Sequence, residues 1–269
     1  MSRNKKRLMY SFMIVMLSIL IIFFIHINKL NYNTENILGI YNRKFNEYVV
    51  FYPQHQDDEV LWGGSAIRKA VNTLGSNNVF VVLVSDGTGV NVFKEKVYKN
   101  KSRKEKEMFR NNEFYAALFD LGVKKENIII LADLDNKTGN HYDLMEDIAL
   151  SFEEKYKNVT HIAHSYKYDD HIMHIKNGKV IYNLYKEGKI KDVMFYLKPR
   201  YAKKVPIDKR AIYIADSEED YEAIVNACNE YMIIDKEKDR FGIGYISSHS
   251  YFDKLLSDPK LTSVLHLPY

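Results

Sequence analysis

Five short apolar runs, each bounded by turn or polar residues and separated by stretches of helical length, constrain the fold of this chain most. Tyr48–Tyr52 stops at Pro53, and Val79–Val84 stops at Ser85-Asp86-Gly87-Thr88-Gly89. Ile128–Leu131, Val159–Ala163 and Val193–Leu197 follow. Except for Val159–Ala163, which Thr160 and His161 interrupt, the runs are continuous rather than alternating, the pattern of strands covered on both faces and hence of parallel pairing. Between them, Val60–Leu74, Phe109–Leu121 and Leu144–Tyr156 carry helical spacing, and Gly122 is a stop for the second. The expectation is an α/β protein, a mostly parallel sheet with helices on both faces. Ligands then sit beyond the carboxyl ends of the strands.

The N-terminus is of a different kind. From Leu8 to Ile27 only Tyr10, Ser11, Ser18 and His26 interrupt an apolar run. As a helix it rises about 30 Å, enough to cross a bilayer. No small-residue cleavage site follows it, so it reads as a transmembrane anchor rather than a cleaved signal. Arg3, Lys5, Lys6 and Arg7 precede the span and only Lys29 follows closely, which keeps the N-terminus in the cytoplasm and places the rest outside. The expected organisation is a basic tail (1–7), a single-pass anchor (8–27), a polar stalk (28–46) and a folded domain (47–269). Those first basic residues account for the whole formal charge of +4, so electrostatics give no case for nucleic acid. Cys228, the only cysteine, excludes an intrachain disulfide and any multi-cysteine zinc site. Nothing in the sequence points to an obligate protein partner.

Chemistry concentrates after two of the apolar runs. Pro53-Gln54-His55-Gln56-Asp57-Asp58-Glu59 follows the first. Three residues apart in a tight strand-to-helix turn, His55 and Asp58 can converge on a metal while Asp57 points elsewhere. The same acids also suit a helix N-terminus, where the macrodipole favours them. A second cluster tips the balance: His164 ends the fourth run, and Asp169-Asp170-His171-Ile172-Met173-His174 opens the next helix. A catalytic zinc site needs three protein ligands and an open position. His55, Asp58 and His174 supply that count from two strand ends of one sheet.

The box QHQDDE, with Gly63-Gly64 after it, Arg110-Asn111-Asn112-Glu113, Leu121-Gly122-Val123 and the downstream His171/His174 pair resembles the PIG-L/LmbE-like zinc N-deacetylases, in the family's order, over roughly Glu47 to Arg200. That resemblance implies a Rossmann-like fold, Zn²⁺ held by His55, Asp58 and His174, Asp57 as general base and His171 assisting the transition state. It implies hydrolysis of the N-acetyl group of an N-acetylglucosamine-like sugar. Arg110, His164 and Asp86 are candidate substrate contacts. Gln54 and Gln56 stand where the family has prolines, and Met173 where it has an aspartate, whose place Asp169 or Asp170 can take. With the anchor, the expected substrate is an N-acetylated glycan or glycolipid of the cell envelope. The competing expectations are a tethered, non-catalytic glycan-binding module and a deacetylase of a small thiol-glucosamine metabolite.

Three further stretches remain. Lys94–Lys106 holds seven basic residues against Glu95 and Glu105, and reads as a solvated approach to a helix or a lid beside the site. Trp62 and Tyr52 read as core. Ile246-Ser247-Ser248-His249 is a cleft candidate whose histidine reads as a surface residue.

Overall fold

The computed structural model of the chain describes Met16, residues 39–135 and residues 137–269. The expected membrane span therefore lies, Met16 excepted, outside the described residues. Among the described residues no helix is long and apolar enough to cross a membrane.

The chain enters the sheet earlier than expected. Strand β1 (Ile40–Tyr41) pairs in parallel with a strand near residue 211, and Phe45 stacks on Tyr213 with ring centroids 5.1 Å apart. Part of the segment read as a stalk is thus an edge strand, because Ile40 and Phe45 find partners in a region the sequence left unassigned. Strand β2 (Tyr48–Phe51) then leads through a tight turn to helix α1 (Asp58–Leu74), β3 (Val79–Leu83), α2 (Arg103–Asp120) and β4 (Ile128–Ile130). A helical turn α3 (Leu131–Leu134), helix α4 (Tyr142–Tyr156), β5 (Val159–His164), α5 (Ile172–Lys186) and β6 (Asp192–Tyr196) follow. Beyond residue 200 come β7 (Arg210–Tyr213), α6 (Glu218–Glu230), the hairpin β8 (Ile234–Asp235) and β9 (Arg240–Phe241), α7 (Ile243–Leu256) and β10 (Ser263–His266).

The main sheet has eight strands in the order β1-β7-β10-β6-β5-β2-β3-β4. From β6 through β4 every pairing is parallel, and β10 runs antiparallel between β6 and β7. Side chains alternate across the sheet, so each continuous apolar run serves two cores. Val49, Phe51, Val79, Val81 and Leu83 face α1, α2, α6 and α7. Val50, Tyr52, Phe80, Val82 and Val84 face α4 and α5. The chain leaves β2 toward β3 and β4, then returns to β5 on the other side. The order therefore reverses between β2 and β5, the place where an open α/β sheet binds its ligand.

Candidate metal centre

The turn after β2 is built around Asp58. His55 N–H donates to Asp58 Oδ2 at 2.8 Å, and the Trp62 indole N–H, one helical turn on, donates to Asp58 Oδ1 at 2.9 Å. Asp57, Asp58 and Glu59 are all buried, unlike acids that merely decorate a helix end. Asp57 has φ 121°, a left-handed conformation costly for any residue but glycine. Its N–H is held by Glu59 Oε2 at 3.1 Å, and Glu59 Oε1 in turn accepts from the Tyr231 hydroxyl at 2.5 Å.

The second cluster arrives on β5 and α5. A Cβ at Gly178 would lie 2.1 Å from the His164 carbonyl oxygen and 2.6 Å from Tyr166 N, so only glycine lets α5 lie this close to the end of β5. His174, one turn earlier, thereby stacks on His164 with ring centroids 3.9 Å apart. It reaches across to His55, with His174 Nε2 and His55 Nδ1 3.2 Å apart. Asp58 Oδ2 lies 3.3 Å from each of these nitrogens. Tetrahedral coordination at about 2.0–2.1 Å requires donor separations of about 3.3–3.4 Å, so this triangle fits a metal. His164 Nε2 is also 3.3 Å from Asp58 Oδ2, but it accepts the Gln54 N–H at 3.2 Å. His171 belongs to a looser group with His55 and His174, donor atoms within 4.8 Å of one another. Its Nδ1 has no partner among the described residues.

Protonation follows from these contacts. Burial pulls His55 down to about 4. Burial also opposes charge on His174, but Asp58 and Asp169 on its two sides outweigh it and raise it to about 9. Asp58 is held well below the usual carboxylate range, burial being overcome by His174 and His164. Asp57, by contrast, is pushed up to about 7 by burial, with Arg110 opposing and Asp58 reinforcing.

The departures from the family pattern are absorbed locally. Asp169 Oδ2 lies 3.1 Å from His174 Nδ1, the carboxylate that Met173 does not provide. Gln54 bonds Asn140, and Gln56 bonds Asn111, so both glutamines tie the turn to the neighbouring loops. Gln56 packs against Gly87, where a Cβ would sit 2.0 Å from its Oε1.

Arg110 is fully buried and donates to the Gln56 carbonyl and to Asp57 Oδ2. Glu113, one turn on, accepts the N–H groups of Ile243 and Gly244 and so caps α7. Ser248 on α7 donates to Asp57 Oδ2 at 3.1 Å. The RxxE element therefore fixes the Asp57 carboxylate from two directions.

These groups open on a cleft of about 810 Å³. His55, Asp57, Asp58, His171 and His174 line it, as do Trp62, Lys198 and Tyr251, which the sequence reading had not placed there. Asp86 lines it too, but its carboxylate is taken up by Thr88, Gly139 and Arg103, so it shapes the wall. His164 is buried behind Asp58 and His174. Ile246, Ser247 and Ser248 line the cleft, and His249 is exposed. The basic stretch 94–106 splits into an exposed turn and the start of α2; of it, Glu95 lines the cleft. Trp62 could have been found four residues after Asp58, the spacing of one helical turn; Lys198 and Tyr251 carry no local signal.

A doubly wound sheet with a buried imidazole and carboxylate cluster at its point of reversal defines the class: an α/β protein with a candidate metal site at the switch point. The PIG-L family, described as GlcNAc-PI de-N-acetylase, matches residues 49–185, half of the chain, and the chain belongs to that family. No curated protein matches it. Among solved structures, the zinc inhibited form of teicoplanin deacetylase Orf2 is 13% identical, with 81% of this chain and 97% of that one covered and a TM-score of 0.51. The A40926 pseudoaglycone deacetylase is 14% identical over 82% and 96%, with a TM-score of 0.50. GalB, a 4-carboxy-2-hydroxymuconate hydratase from Pseudomonas putida KT2440, is 12% identical over 82% and 97%, with a TM-score of 0.51. These likenesses are of fold. A hydratase shares it, so the reaction has to be argued from the site.

Proposed function

We propose that this chain is a zinc-dependent N-deacetylase that hydrolyses the N-acetyl group of an N-acetylglucosamine-containing glycan or glycolipid, releasing acetate. The observation that carries the reading is the triangle of His55 Nδ1, Asp58 Oδ2 and His174 Nε2, with edges of 3.2–3.3 Å, beside a separate buried carboxylate on Asp57. The proton that His174 holds between Asp58 and Asp169 occupies a place that a divalent cation can take. Zinc there would supply a Lewis acid that brings the pKa of water to about 7 and polarises the acetamide carbonyl.

The chain's own groups do the rest. Asp57, oriented by Arg110 and Ser248, takes the proton of the attacking water and returns it to the departing amine. His171, on the cleft wall with Nδ1 unpartnered among the described residues, is the donor for the oxyanion that develops on the carbonyl oxygen. Trp62 fixes the orientation of Asp58 by occupying its other oxygen.

The cell envelope as the source of substrate is supported by the sequence of residues 1–27, a basic tail followed by an apolar span. Protease added to intact protoplasts should remove residues 31–269; cutting only after lysis would place the domain in the cytoplasm and redirect the search to metabolites. The activity is tested by incubating the full chain in detergent with N-acetylated envelope glycan fractions. One equivalent of zinc is used, since one fold neighbour is described as zinc inhibited. Acetate release that chelator abolishes is expected. Full release in chelator, or none from any N-acetylated sugar, would overturn the proposal.

A further inference from the structure

Lys198 lies just past β6, beyond the residues the family matches, and is 6% exposed. Its ammonium donates to Asp169 Oδ1 at 2.9 Å and to Asp170 Oδ1 at 2.5 Å. It also sits 5.2 Å from the centre of the Trp62 ring and 5.4 Å from that of Tyr251. Two of these neighbours are the groups that orient metal-site side chains: Asp169 Oδ2 meets His174 Nδ1, and Trp62 Nε1 donates to Asp58 Oδ1. Burying a lysine is costly unless it is paired, and here two carboxylates and two ring faces pair it.

We infer that Lys198 is a positioning residue that locks His174 and Asp58 into one geometry, the first through Asp169 and the second through the Trp62 ring. The inference rests on the metal reading proposed for the site. Asp169 Oδ1 accepts the His171 N–H at 2.8 Å as well as the ammonium, and the two together keep the carboxylate from rotating away from His174. A cation over the indole face draws charge from the ring and strengthens its N–H as a donor to Asp58. One side chain thus couples ligands that arise from opposite sides of the switch point. Such outlying partners of metal ligands typically govern affinity by roughly 10- to 100-fold.

Trp62 is the only tryptophan, so its fluorescence reports on this contact directly. Zinc affinity, measured by competition with a chelating indicator, and the emission of the zinc-free protein are compared for the full chain and its variants. Lys198→Met should weaken zinc binding by roughly 10- to 100-fold and shift the emission, while Lys198→Arg, which keeps the charge and both carboxylates, should recover most of both. Lys204→Met, on the same loop but exposed, should change neither. Should the methionine variant fail to fold, Lys198→Gln replaces it and should also weaken zinc binding. Wild-type affinity in the methionine or glutamine variant would overturn the inference alone, as would an arginine variant no better than methionine. A wild-type chain that binds no zinc would overturn the metal reading and this inference together.

Discussion

At Asp58 both carboxylate oxygens are committed, Oδ1 to Trp62 and Oδ2 to the imidazoles, whereas Asp57 turns its carboxylate to Arg110 and Ser248. The two neighbours should therefore fail differently. Asp58→Ala and His174→Ala should lose zinc and activity together. Asp57→Asn should keep its zinc while turnover falls roughly 10²- to 10⁴-fold, as for a lost general base, and His171→Ala should resemble it. Bound metal and acetate release, measured on the same four samples, decide: zinc lost from Asp57→Asn, or full turnover in His171→Ala, would reassign that residue. The aspartate pair and the two histidines are legible in the sequence because the turn packs them within a few positions. Asp169 was legible only as one of two alternatives. Trp62 packs in the core as expected, and only the direction of its N–H gives it a second task.

Helix α5 shows how an element places a residue. Gly178→Ala would add about 1 kcal/mol of helix propensity, yet the new methyl would meet backbone at 2.1 Å, which no side-chain adjustment relieves. The clash should win, costing about 1–3 kcal/mol, and by moving α5 outward it should also weaken zinc binding; thermal denaturation and a metal titration on the variant test both. Strand β10 acts on the same loop. His266 is buried, its Nε2 2.9 Å from Ser165 Oγ and its Nδ1 2.9 Å from the Leu267 carbonyl oxygen, an arrangement for the neutral ring. Burial lowers it to about 4 from the ordinary 6.5. A depressed value means that the unfolded chain takes up the proton first, so the contribution is complete above pH 6.5 and is lost as pH falls toward 4. The stability of wild type relative to His266→Phe should therefore shrink across that window, by up to about 3 kcal/mol; a constant difference in urea titrations at pH 7 and pH 4.5 would exclude the assignment. Apart from β1 and the helical turn α3, the elements in the first two thirds were legible from their runs, though α2 begins at Arg103, six residues ahead of the expected start, through the capping box of Ser102 and Glu105. The region after residue 200 was not legible, since β8 and β9 span only two residues each and β10 runs against its neighbours.

On the scale of the whole molecule, the site exists only once the sheet has closed. His55 and His174 stand 119 residues apart and meet because β2 and β5 are adjacent. A metal held between them acts as a reversible cross-link across the middle of the domain, one that the unfolded chain cannot make. Its binding energy is then folding energy: at a free concentration 100 times its dissociation constant it adds about 2.7 kcal/mol. Zinc should raise the melting temperature of the full chain in a concentration-dependent way, and Asp58→Ala should abolish the rise, whereas Asp57→Asn should retain it. Equal melting with and without zinc would mean that nothing bridges the two strands. If the shift is found, a chelator becomes a destabiliser of this protein as well as an inhibitor, and the metal supply of the compartment sets how long each molecule stays folded.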